Sequence, residues 1–324
     1  MLIANPIYDV VFKYLMEDLE IAKEIISAII DKEIISLTLK PQEKSLEYSV
    51  EIDRHSKNKE KDSIYNYMRL YRIDFNTVVK DKDDQYQNVI IEIQKSPIKS
   101  ALIRFRNYLG ERYKQEEIVV ENGQEVKKIL PIITIYFLGF ELENKLLPEV
   151  IEISRNYKNI LTGEIINSKD DFIECLTHNS FIIQIPKLHP TMKTKLEKIL
   201  SIFDQKEKTD RNFFINYEYE PEDEIMKRII KRLLKAASNP KVREELELEE
   251  EADDAFKEME KKDKIIAEQN KILEENKKVL DEKNKALEEK DRLIKELMEK
   301  LGWLVKKLPL FKFKIRHIIL PHFS

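Results

Sequence analysis

YRIDFNTVVKDKDDQYQNVIIEIQK, running from Tyr71 to Lys95, is the stretch on which the reading of this chain turns. β-Branched and aromatic residues fill both of its arms, while Lys80 to Gln85 is charged or amide, so it reads as two strands joined by a polar turn. Each arm carries one carboxylate, Asp74 within RIDFN and Glu92 within VIIEIQ. A charge flanked by large apolar side chains in a half-buried strand is costly unless something pairs with it. Side chains alternate along a strand, so Glu92 and Gln94 share one face, and Ile91, Ile93 and Lys95 take the other. Pairing the arms across the turn brings Asp74 towards Glu92. Two carboxylates and the Ile93 backbone carbonyl then make a hard-oxygen site suited to Mg²⁺. The competing reading of the same pattern is a hairpin whose acids face solvent.

The order Asp74, then Glu92-x-Gln94-Lys95, resembles the PD-(D/E)xK nuclease superfamily, and the surrounding sequence is similar to its recombination-promoting nuclease and putative transposase branch. The likeness is carried by NPIYDVVFK (Asn5 to Lys13), RIDF (Arg72 to Phe75), VIIEIQK (Val89 to Lys95), RFRNYLGERY (Arg104 to Tyr113) and SFIIQIPKL (Ser180 to Leu188), over roughly the first two thirds of the chain. The resemblance implies an α/β fold with a restriction-endonuclease-like αβββαβ core. It also implies Mg²⁺-dependent hydrolysis of DNA phosphodiester bonds, with Mn²⁺ as a substitute ion. Asp74, Glu92 and the Ile93 carbonyl would hold the metal, and Asp9 in the first helix would lend a third acid. The superfamily places a lysine where this chain has Gln94, as that branch often does. An amide orients water by hydrogen bonding but adds no charge, so Lys95 or an arginine would have to assist. Asp9 has a second reading as a first-turn acid that compensates the helix dipole.

Composition bounds the remaining classes. The chain has 324 residues, enough for one large domain or two ordinary ones. Its 57 basic and 61 acidic residues leave a net charge of -4, so any nucleic-acid surface must be local. Five glycines leave no phosphate-cradling loop, which argues against a nucleotide cofactor. The single cysteine, Cys175, allows neither an internal disulfide nor a thiolate cluster and suits a reducing compartment. The opening MLIANPIYDV lacks the basic flank and apolar core of a signal peptide. The apolar run Ile129 to Phe140 is too short for a membrane span. A cytoplasmic protein is expected.

Asn5-Pro6 predicts a helix opening at Pro6, with an N-cap residue followed by proline at the first helical position. Leu19 to Ile30 is helix-periodic, and Ile34 to Leu39 and Leu46 to Ile52 are strand-like. Lys99 to Glu117 reads as a helix bearing Arg104 and Arg106, whose guanidinium forks suit phosphate oxygens. A merely solvated helix is the alternative. Tyr108 and Tyr113 read as packing residues. Ile129 to Phe140 reads as a buried strand, with further strands at Val150 to Tyr157 and Phe181 to Ile185 and a helical stretch over Pro190 to Phe203. His178 and His189 lack metal-ligand spacing and read as surface or structural residues.

From Ile265 to Glu299 a seven-residue repeat appears, IIAEQNK, ILEENKK, VLDEKNK, ALEEKDR, LIKELME. It gives a helix with a narrow apolar stripe of coiled-coil period. With Ile266, Leu273 and Leu280 at one seam position, the other holds Gln269, Asn276, Lys283, Lys290 and Leu297. A long solvated helix laced by Glu/Lys pairs is therefore the alternative to self-association. The expected organisation is a nuclease-like domain over 1–204, a helical connector over 205–243, a charged coiled coil over 244–301 that holds copies together, and a basic, apolar tail over 302–324. DNA is the expected partner. The alternative function is a catalytically weak or inactive DNA-binding or assembly protein on the same fold.

Overall fold

The computed structural model describes residues 1–40, 75–97, 99–209, 212–221 and 223–318. Asp74 and the expected strand Leu46 to Ile52 lie outside them. The chain divides into two compact units, Met1–Asp253 and Asp254–Ser324.

The first unit is mixed α/β. After a short strand β1 (Leu2–Ala4) come helices α1 (Asp9–Met16) and α2 (Leu19–Ile30), then β2 (Ile34–Leu39), β3 (Phe75–Asp81) and β4 (Tyr86–Gln94). Helix α3 (Lys99–Arg112), a hairpin β5 (Glu117–Glu121) and β6 (Gln124–Lys128), and β7 (Ile132–Leu138) follow. Further on lie β8 (Val150–Ile153), β9 (Tyr157–Lys158), β10 (Ile165–Ile166), α4 (Asp171–Leu176), β11 (His178–Gln184), α5 (Lys195–Leu200) and β12 (Phe214–Asn216). Helices α6 (Glu224–Ser238) and α7 (Pro240–Ile318) complete the order.

Six strands form one sheet in the order β2-β3-β4-β7-β11-β8. Strand β3 runs antiparallel to both of its neighbours, β2 and β4; β4 and β11 flank β7 in parallel, and β8 returns antiparallel on β11. The turn between β3 and β4 is held by Asp81, whose carboxylate accepts from the backbone N–H of Asp83 at 3.0 Å and of Gln85 at 2.9 Å.

Strand alternation sorts the two faces of the sheet. Phe75, Val79, Val89, Ile91, Ile93, Ile133, Ile135, Phe137, Phe181 and Ile183 belong to the main core, together with Val11, Phe12 and Leu15 of α1 and Ile21, Ile25 and Ile26 of α2. Phe137 stacks on Phe203 at 4.6 Å between centroids, and Phe12 packs against both. On the opposite face, Phe105 and Leu109 of α3 cover Ile90 and Ile132, and Val119 of the β5–β6 hairpin covers Val78.

Four expectations are corrected. The first helix opens at Asp9, not Pro6, because the Asn5 side chain is used in a turn: its Oδ1 accepts from Ile7 N at 3.1 Å, while its Nδ2 donates to Gln205 Oε1 and the Asn212 carbonyl, each at 2.8 Å. The third helix stops at Arg112, and Glu117 opens a hairpin whose turn is Asn122-Gly123. Both turn residues have positive φ, 52° and 78°, the backbone that a two-residue hairpin demands and that Asn-Gly supplies most readily. The region 205–243 is not a connector. Phe214–Asn216 pairs with the first strand, and Met226, Ile229, Ile230 and Leu233 bury the amphipathic face of α6 in the main core. The N-terminal end of α7 follows it, with Val242 and Leu246 buried in the same core, so the first unit runs to Asp253.

Arg228 and Arg232 of α6 fasten this addition. Arg228 grips both oxygens of Asp18, the N-cap of α2, at 2.9 and 2.7 Å, and Arg232 lies 4.4 Å over the Tyr14 ring. Burial works against the Asp18 carboxylate, but the Arg228 guanidinium and the Ile21 N–H hold its pKa below the ordinary range.

The N-terminal end of β11 carries a second polar network. Arg155 donates to Asn179 Oδ1 at 3.0 Å, Thr177 Oγ1 at 2.7 Å and Glu174 Oε2 at 2.8 Å. The Tyr113 hydroxyl and His178 Nδ1 lie 2.6 Å apart, so both residues pack as expected. Burial, with Arg155 adding to it, lowers the His178 pKa, while burial raises that of the Tyr113 hydroxyl, so the pair favours a neutral imidazole hydrogen-bonded to a protonated phenol. A base whose folded pKa is depressed binds its proton more readily when unfolded. Stability from this pair is therefore complete above about pH 6.5 and is lost as the pH falls towards the folded value. Urea midpoints at pH 8 and pH 5.5 should drop more for the native chain than for His178→Gln; equal drops would contradict the assignment.

Among the described residues no helix is long and apolar enough to cross a membrane.

Candidate functional site

The end of β4 is the place to build from. Glu92 is 4% exposed and stands opposite Tyr136 of β7 in parallel register. Alternation sets Glu92 on the α3 face with Ile90 and Gln94, away from Ile91 and Ile93 in the main core. The ring of Tyr136 meets Phe105 edge-on at 4.7 Å. Burial pushes the Tyr136 hydroxyl pKa up, a Thr134 hydrogen bond opposes that, and the Glu92 carboxylate raises it further. Tyr136 thus stays a protonated phenol near an acid.

The face around Glu92 is polar for a buried surface. Asn76 and Asn88 are buried on the same face, and neither Asn76 side-chain atom nor Asn88 Oδ1 finds a hydrogen bond among the described residues. Thr134 Oγ1 and Ser180 Oγ meet at 2.8 Å on the neighbouring strands. A buried, unpaired amide costs on the order of 1–3 kcal/mol, so Asn76, and to a lesser degree Asn88, set an energetic cost on the face that carries Glu92. The chain enters β3 at Phe75, which pairs with Ile91, the residue before Glu92.

Gln94 is half-buried on the Glu92 face. Its Nε2 donates to the Ser96 carbonyl at 2.7 Å, and its own backbone carbonyl accepts from Gly139 N at 2.8 Å. Gly139 is required by this close approach: a Cβ there would stand 2.9 Å from the Lys95 carbonyl oxygen and 3.0 Å from Ile7 Cδ1.

Lys95 turns to the other side. Its ammonium is bound by Glu249 Oε1, by Asp253 Oδ2 at 2.5 Å, and lies 4.3 Å over the Tyr8 ring. Burial alone would lower the Lys95 pKa, but Glu249, Asp253 and Asp9 outweigh it and raise it. Glu249 also accepts from the backbone N–H groups of Asp9 at 3.1 Å and Val10 at 3.3 Å, so a residue of α7 caps the first turn of α1. The charge expected to meet DNA phosphate is thus already neutralised by two carboxylates.

The structure brings Glu92, the Ile93 strand position and Gln94 together, and it sets Lys95 beside Asp9. Asp9 opens a helix that packs on the Ile91 face, whereas Glu92 faces α3. Among the described residues no three His, Cys, Asp or Glu side chains converge on one point. Arg106 is exposed on α3, the side chain of Arg104 is outside the described residues, and Arg112 of the same helix is buried, donating to the Tyr108 hydroxyl at 2.8 Å.

Sequence reasoning missed Tyr136 and Glu249. Tyr136 is the one phenol within a strand, ITIYF, whose only other polar side chain is Thr134, and that was a usable signal. Glu249 lies in an unbroken acidic run, and nothing local distinguishes it from its neighbours. No family model, curated protein or solved structure matches the chain.

Proposed function

We propose that this chain is a metal-dependent endodeoxyribonuclease of the PD-(D/E)xK type, similar to the recombination-promoting nuclease and putative transposase branch. The observation that carries the reading is Glu92: a buried carboxylate near the end of a central strand, on a polar sheet face that packing does not explain. The order helix, three strands, helix, strand around it supports the αβββαβ core.

Glu92 and the Ile93 carbonyl offer hard oxygen donors of the kind that Mg²⁺ or Mn²⁺ takes, and Asp74 is the proposed second carboxylate. Such an ion supplies Lewis-acid stabilisation of phosphate and lowers the pKa of a bound water. Tyr136 would fix the orientation of the Glu92 carboxylate. Gln94 would hold water by its amide, and Arg104 or Arg106 of α3 would meet DNA phosphate. Lys95 would serve phosphate only on leaving Glu249 and Asp253, so it is assigned to the fold first.

Conversion of supercoiled plasmid to nicked circles with Mg²⁺ or Mn²⁺, and none with EDTA, is the expected result. Gln94→Lys should keep or raise that activity, and Gln94→Ala should lower it. Equal rates for these two and the native chain would remove Gln94 from the site.

One observation favours a second reading. With the Gln94 amide bound to Ser96 and the Lys95 charge neutralised, a DNA-binding or assembly protein that keeps the fold without cutting would look the same. DNA binding that persists in EDTA, with no nicking in any metal, would select it.

A further inference from the structure

The second unit consists of α7 beyond Asp253, and within that unit the heptad side chains are exposed: Leu273, Leu280, Leu287 and Leu301 each show 58–65% of their surface. Two apolar residues recur in every heptad, Ile265 with Ile266, Ile272 with Leu273, Val279 with Leu280. Between the two columns they form, along the centre of the stripe, stand Gln269, Asn276, Lys283 and Lys290, and only then Leu297. The charged residues off the stripe are matched within the helix, where Glu268, Glu275, Glu282 and Glu289 precede Lys271, Lys278, Lys285 and Arg292 by three positions.

The centre of the stripe decides what covers it. A parallel partner in register would set Lys283 on Lys283 and Lys290 on Lys290, two successive layers of like charge. Offset by a heptad, it would still oppose Lys283 to Lys290. An antiparallel copy with its two-fold between Val279 and Leu280 avoids this. It sets Ile265 on Ile294, Ile272 on Leu287 and Val279 on Leu280, and it sets no lysine on a lysine: Lys283 meets Asn276, Lys290 meets Gln269 and Lys262 meets Leu297. Glu275 and Glu268, one residue before those amides, then lie within reach of the ammonium groups. Sliding this pair by one heptad returns lysine to lysine, Lys283 on itself in one direction and Lys262 on Lys290 in the other. Seam charge thus fixes both direction and register, as polar seam residues do in coiled coils.

We infer that the helix of the second unit binds a second copy of this chain as an antiparallel pair centred between Val279 and Leu280. In it, the two copies of Asp254 stand at opposite ends, about 75 Å apart. The inference does not rest on the nuclease reading.

Sedimentation equilibrium on the full chain tests it with Asn276→Glu and Asn276→Lys. The antiparallel register opposes position 276 to Lys283 twice per pair. Asn276→Glu should therefore tighten the dimer roughly tenfold, and Asn276→Lys should weaken it by a similar factor. A parallel pair places residue 276 on its own copy, so both variants would weaken it, and that result overturns the proposal. So does a native chain that stays monomeric through the micromolar range, or one that assembles beyond two. In a Cys175→Ser background, Ile272→Cys and Leu287→Cys proteins should crosslink on oxidation only when mixed; crosslinking of either alone also overturns it.

Discussion

Glu92→Gln should reduce metal-dependent nicking by at least about a hundredfold, roughly 2.7 kcal/mol of transition-state stabilisation, while leaving the protein as stable as before or more so. The two expectations have separate physical origins. The amide keeps the volume of the side chain, so no cavity forms, and it removes a charge that burial penalises. It also removes the anionic oxygen that a hard cation takes. Asp74→Ala should abolish nicking in the same way. A urea midpoint measured beside the plasmid assay separates the roles. If Glu92→Gln loses stability along with activity, the carboxylate is a packing or hydrogen-bonding element near Tyr136; if it loses neither, the proposed site falls.

The hairpin from β3 to β4 was legible because both arms were rich in β-branched residues and the turn was not, and the alternation that set Glu92 and Gln94 apart from Ile91 and Ile93 holds in the two cores. The β5–β6 hairpin was not read from the sequence: Asn122-Gly123 was its one local signal, the second arm QEVKK carries a single apolar residue, and the helical reading of α3 ran on past Arg112. What the sequence hid was long-range. Asn5-Pro6 has the form of a helix start, and only the groups at Gln205 and Asn212, far along the chain, draw the asparagine into a turn. The amphipathic α6 was visible as a helix, but the partner of its apolar face depends on tertiary packing that no local period encodes. The same holds for Lys95. From sequence it is a cation next to a presumed site, and its neutralisation comes from residues more than one hundred and fifty positions later.

Glu249→Ala should be the most destabilising single change outside the apolar core, costing about 3–5 kcal/mol. Glu249 is 3% exposed and performs two tasks at once. Its two oxygens satisfy the Asp9 and Val10 N–H groups at the positive end of α1, and one of them also binds Lys95. Truncation leaves those amides buried without the Glu249 acceptor and weakens the hold on Lys95, which keeps its ion pair with Asp253. Two further variants apportion the loss. Asp253→Ala removes a partly exposed carboxylate that caps nothing and should cost no more than about 1 kcal/mol. Lys95→Met keeps the apolar stem over Tyr8 and leaves Glu249 with both backbone donors, so it should cost less than Glu249→Ala. Urea unfolding of the four proteins supplies the comparison. A loss for Glu249→Ala no larger than that for Asp253→Ala would mean that α7 merely rests against α1. The predicted order, with Glu249→Ala far below the rest, would make this carboxylate the fastening that ties the first turns of α7 to the strand end carrying Glu92 and Gln94.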